Sequence, residues 1–111
     1  MTSIVATVSG TSISFGSAAV FEAASSVDMS SAFDSTNNKV VIAYGDVGNS
    51  QYGTAIIATI SGTSVSFGSA AVFLNTGAIS NISTVFDTNA NKIVVSYKDS
   101  GNSGYGTLAV G

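Results

Sequence analysis

The sequence predicts an all-β fold, and three observations carry that expectation. Apolar residues recur at every second position, as in residues 64–67, where Val65 and Phe67 alternate with serines. Successive side chains on a strand point to opposite faces, so this pattern buries one face and wets the other. Clusters of Ser, Gly, Asn and Asp interrupt these runs, there is no proline, and no stretch carries an apolar stripe at helical spacing. Finally, a block at 6–21, ATVSGTSISFGSAAVF, returns almost unchanged at 58–73 as ATISGTSVSFGSAAVF.

The repetition extends well beyond that block. Phe15 recurs as Phe67 and Phe33 as Phe86, offsets of 52 and 53 residues, so one residue is inserted between the two matches. Over residues 2–21 with 54–73 and 33–53 with 86–106, 28 of 41 positions are identical. The chain therefore divides into two units, 1–53 and 54–106, with 107–111 beginning a third. The length change falls in the least similar segments, 22–32 and 74–85.

Each unit predicts four strands. The first is short and ends in Phe-Asp, at 29–34 and again at 82–87. The second, KVVIAY at 39–44 and KIVVSY at 92–97, is apolar on both faces. A Gly/Asn turn leads to the third, TAIIATI at 54–60, with Ile56, Ala58 and Ile60 on one face and Ala55 and Ile57 on the other. Ser61-Gly62-Thr63 supplies a hairpin turn. The fourth strand, 64–73, has one serine-rich face and suits an outer edge, where a sheet must resist pairing with other chains.

A repeat of about this length with four strands matches one blade of a propeller. Two strands apolar on both faces imply sheets stacked against neighbouring sheets. On that assignment the Phe-Asp strand lies innermost, and the chain starts at the third strand of a blade. Two blades leave broad apolar faces, and repeat architectures generally need three or more units to bury theirs. A standard interface buries about 1,600 Å²; if about 60% is apolar, the gross gain is about 24 kcal/mol before association costs. The exposed faces are opposite ends of a stack, so contact is head-to-tail and rotation closes it into a ring. The expected assembly is a six-bladed trimer, with an eight-bladed tetramer second; the alternative fold is a single β-sandwich, which would be monomeric. Residues 107–111, TLAVG, align with both 54–58 and 2–6, so one strand is begun twice. This overlap reads either as a register-locking joint between subunits or as a piece of a longer repeat protein cut mid-strand.

The run FDxxxNKVVIAYxDxGNSxYGTAIIATISGTSxSFGSAAVF at 33–73 resembles the repeats of β-propeller proteins of environmental and bacteriophage-type sequences. The resemblance covers nearly the whole chain and implies fold and repetition; it implies no settled activity.

Composition narrows the chemistry. The chain has no Cys and no His. Disulfides, thiol catalysis and imidazole acid–base catalysis are excluded, and zinc, haem and copper sites lose their usual ligands. Three lysines and no arginine against six acids give a net charge of −3, a poor basis for contacting nucleic acid. No apolar run approaches the length of a membrane-spanning helix, and the N-terminus shows no signal-peptide pattern. A weakly charged, hydroxyl- and amide-rich surface is common on extracellular and virion proteins.

The most site-like feature is the turn at 46–53, DVGNSQYG, repeated at 99–106 as DSGNSGYG. Asp46, Asn49 and Tyr52, with Asp99, Asn102 and Tyr105, combine carboxylates and amides for hydroxyl groups with a ring for the apolar face of a sugar. The alternative is a turn in which Asp and Asn bond their own backbone and Tyr packs. Calcium would suit these oxygens, yet no spacing matches a calcium loop. Asp34 and Asp87 could be imagined as a carboxylate pair, but identical acids in both units suit turn capping. No catalytic residue, metal ligand or cofactor is assigned. The leading reading is a non-enzymatic structural or binding module with a lectin-like or phage-tail adhesion role, whose partners are further copies of itself and glycans. A glycan-active hydrolase and a fragment without independent function are the rival readings.

Overall fold

The computed structural model describes all 111 residues, Met1–Gly111. β1 (Thr2–Ser3) and β2 (Ala6–Ser9) turn at Gly10 onto β3 (Ser12–Phe15) and β4 (Ala19–Val20). Gly10 sits at φ +59, a left-handed conformation that costs glycine nothing. In this hairpin Ala6 pairs with Phe15, Val8 with Ile13 and Thr2 with Val20. β5 (Ser26–Asp34), β6 (Lys39–Asp46) and β7 (Tyr52–Ser61) form an antiparallel meander. β8 (Ser64–Phe67) and β9 (Ala71–Leu74) complete it as two pieces along the outer edge of β7. β10 (Ile79–Asp87), β11 (Lys92–Asp99) and β12 (Tyr105–Val110) form a second, three-stranded antiparallel sheet.

The chain is thus all-β, as expected, with a complete four-strand meander over 26–74. A single chain forms no closed barrel or ring. Two boundaries differ from expectation for identifiable reasons. The strands expected at 29–34 and 82–87 begin three residues earlier, because a bulge shifts register between Val27 and Ser30 and between Ser80 and Ser83. Asp28 (φ 49°) and Asn81 (φ 54°) occupy the left-handed positions of these bulges, the non-glycine types that tolerate them best. The single outer strand expected at 64–73 breaks after Phe67, where the Gly68 N–H donates to the Ile57 carbonyl at 2.9 Å.

The strands divide among three layers. The face of the meander carrying Ile42, Tyr44, Ile56 and Ala58 packs toward the hairpin, with Phe21, Val65 and Phe67 against it. The opposite face contributes Ala43, which joins Ile79, Val95 and Tyr97 of the three-stranded sheet, with Phe73 and Leu74 alongside. The two joints share an aromatic contact: Phe21 meets Tyr44 at a ring-centroid distance of 5.4 Å, and Phe73 meets Tyr97 at 5.6 Å, while only the second joint also packs β10 against β5. A Phe–Tyr contact within each repeat therefore joins one sheet layer to the next. Burial ends at these two joints. Only 12 of 111 residues are buried, while Val8, Ile13, Phe15, Leu108 and Val110 on the outer layers are each more than half exposed.

Candidate functional site

The repeated turn is built by backbone geometry. Asp46 ends β6, Val47–Asn49 make a turn of 3-10 helix, and Tyr52 opens β7 directly across from Asp46. Its copy runs from Asp99 through Ser100–Asn102 to Tyr105 in the same register. Each reversal needs two left-handed residues, Ser50 and Gln51 in one and Ser103 and Gly104 in the other. Gln51 is the unfavourable choice at such a position, and its side chain has another task. Its Nε2 donates to the Ile79 carbonyl at 2.9 Å, while the Ile79 N–H donates to the Gln51 carbonyl at 3.0 Å. The first turn is thereby clamped to the start of β10.

Each turn also leans on the loop that precedes its own sheet. Val47 N–H donates to the Ser25 carbonyl at 3.0 Å, and Ser100 N–H to the Ala78 carbonyl at 3.1 Å. The approach at the second is too close for side chains: a Cβ on Gly101 would lie 2.3 Å from the Thr76 carbonyl oxygen. The bonds Gln51–Ile79 and Ala78–Ser100 place both turns at one end of the layered stack.

Within that end the predicted residues separate. Asp99 is buried and its Oδ1 accepts from the Gly101 N–H at 2.8 Å, so it caps its own turn. Asp46 makes no such cap, and its Oδ1 is buried without a hydrogen-bond partner. Asn49 and Asn102 are exposed. Tyr105 is 64% exposed, whereas Tyr52 is half-buried because β9 lies along the outer edge of β7 and no strand lies outside β12.

The structure adds Glu22 and Tyr44, which the sequence reading did not place in a site. The Glu22 carbonyl accepts from the N-terminal ammonium of Met1, its Oε1 accepts from the Ala24 N–H at 2.8 Å, and its Oε2 accepts from the Tyr44 hydroxyl at 3.4 Å. Burial, followed by the carboxylates of Glu22 and Asp46, pushes the Tyr44 hydroxyl up to about 12. Tyr97 is raised by burial and then by Asp99. The signal for Glu22 was its mismatch: the aligned position in the second unit is Leu74. Acceptors therefore predominate at this end, with exposed amides and a tyrosine ring beside them.

At the opposite end Asp34 accepts from the backbone N–H groups of Thr36 and Asn37 and from Asn37 Nδ2. The Asn37 side chain, with the backbone N–H groups, holds the Asp34 carboxyl below its ordinary value. Asp87 accepts likewise from Asn89 and Ala90. Both acids cap turns. Nowhere do three acidic side chains gather into a metal-holding group, and no helix is long and apolar enough to cross a membrane. Comparison with protein-family models, with curated proteins and with solved structures finds no match.

Proposed function

We propose that this chain is a non-enzymatic binding and structural module that joins further copies of itself head-to-tail into a closed, six-bladed β-propeller, and that the ring presents its repeated Asp-X-Gly-Asn-Ser turns to glycans. The observation that carries the assembly is the recurrent joint. Phe21–Tyr44 and Phe73–Tyr97 hold successive layers by one geometry, and both outer layers keep the apolar residues that this joint would cover. Three chains of two repeats give six blades, within the usual four to eight. Glycan binding is supported by the exposed Asn49 and Asn102 and the exposed ring of Tyr105 beside carboxylate acceptors at one end of the stack. A ring would place several such turns on one face, where weak contacts add by multivalency.

A glycan array paired with a panel of oligosaccharide substrates tests the binding role. Retention of a glycan class without sugar release supports it; release of sugar products contradicts it.

A further inference from the structure

The outer edge of β1 pairs with no strand of this chain, since β1 pairs only with β4. Beside that edge lies a cavity of about 320 Å³ lined by Ile4, Val5, Met29, Val40, Ile42 and Ile60. A second cavity, of about 480 Å³, opens between the meander and the three-stranded sheet, lined by Val41, Ile57, Phe73, Ile93, Val95 and Ala109 among others. Each cavity has an occupied counterpart within the chain. Strand β6 fills the place equivalent to the first: Val40 pairs with Ala58, Ile42 with Ile56 and Tyr44 with Thr54, and Ala43 points into the joint. Val65 and Phe67 fill the place equivalent to the second, with Phe67 5.5 Å from Phe21.

Aligning the repeats names the residues that would complete both. The counterpart of β6 is β11, and the counterparts of Val65 and Phe67 are Ile13 and Phe15, which are 57% and 62% exposed. A second copy's hairpin laid along β11 would therefore pair its Ala6 with Ile93, Ile4 with Val95 and Thr2 with Tyr97, and would set its Phe15 against Phe73. The positions on β11 are already taken. β12 pairs Ala109 with Val95, Leu108 with Ser96 and Thr107 with Tyr97, and Gly111 exchanges both backbone hydrogen bonds with Ile93.

We infer that β12 is a placeholder strand: residues 106–111 cover the edge of β11 in the free chain and are displaced there, residue for residue, by residues 1–6 of a second copy. The inference rests on the assembly reading above and adds its register and its control. The exchange replaces one backbone ladder with an equivalent one, so it conserves hydrogen bonds. Its gain is apolar, because the incoming hairpin brings Ile13 and Phe15 into the larger cavity while Val94 of the receiving copy enters the smaller. Self-association is therefore opposed by an internal competitor and depends on concentration.

A reversible lock separates the exchange from assembly itself. Ile93 and Gly111 are a mutually hydrogen-bonded pair, so Ser96 and Leu108 form a non-hydrogen-bonded pair, with Cα atoms about 4.5 Å apart and within reach of a disulfide. The double variant S96C/L108C introduces the chain's only cysteines. Light scattering is expected to find it monomeric when oxidised and assembled when reduced. Equal assembly in both states overturns the exchange while leaving assembly standing. A wild-type chain that stays monomeric at every concentration overturns both. Hydrogen exchange on the wild-type chain gives an independent reading. On concentration, the amides of 106–111 are expected to lose protection and those of 1–6 to gain it; unchanged protection of 106–111 in an assembled sample contradicts the inference.

Discussion

Phe21 packs edge-on against Tyr44, ring centroids 5.4 Å apart and planes inclined at 64°, and Phe73 reproduces the contact on Tyr97 one layer further on. These aromatic pairs recur at both joints between layers, and at the second they are joined by the packing of β10 on β5. Aromatic pairs of this kind contribute about 0.5–1.5 kcal/mol beyond the area they bury. Their partners differ in one respect. Tyr44 also donates to Glu22, where the second joint has Leu74.

Phe73→Ala is therefore expected to loosen the three-stranded sheet from the meander. Full truncation of a buried Phe costs about 3–5 kcal/mol, and Phe73 is only half-buried, so a loss at or below the bottom of that range is expected in urea denaturation. Phe21→Ala should act similarly at the other joint. Phe15→Ala removes a mostly exposed ring and should leave the free chain's midpoint nearly unchanged while weakening its self-association.

Alkaline titration should reveal Tyr44. Its folded value, about 12, lies above the ordinary value of 10. The folded state thus holds the proton more tightly than the unfolded state does. The resulting stability is complete below pH 10 and is lost as pH rises toward 12. Tyr44→Phe should flatten that decline, measured as thermal midpoint against pH. A decline of equal slope in the variant would assign it to other groups.

Much of this was legible in the sequence, and the failures are specific. The strands, the turns and the stacking of doubly apolar strands followed from period-two patterning and repetition. The bulges at Asp28 and Asn81 did not, because a left-handed residue inside a strand leaves only an Asp or Asn as its trace. Turn capping by Asp34, Asp87 and Asp99 was foreseeable from Asx chemistry, whereas Asp46 shares the motif but lacks the cap. Gln51 and Glu22 act across sequence distances of 28 and 22 residues, and no local pattern announces such contacts.

The close approach of Gly101 to Thr76 gives a local test. Gly101→Ala places a methyl group 2.3 Å from a carbonyl oxygen and forces the two loops apart. Overpacking of this kind costs about 1–3 kcal/mol, and hydrogen exchange should show loss of protection at Ser100, which donates to Ala78. Gly106→Ala, with open space around the new methyl, should leave the Ser100 amide protected.

Tyr105→Ala and Asn102→Ala should each reduce retention on a responsive glycan about tenfold, equivalent to about 1.4 kcal/mol, without shifting the urea midpoint of the free chain. Retained binding in both variants would move the site away from these turns.

The mass in solution tests the proposed ring most directly. Multi-angle light scattering across a concentration series is predicted to approach three times the chain mass of 11.0 kDa. A mass that remains that of one chain at every concentration would contradict it.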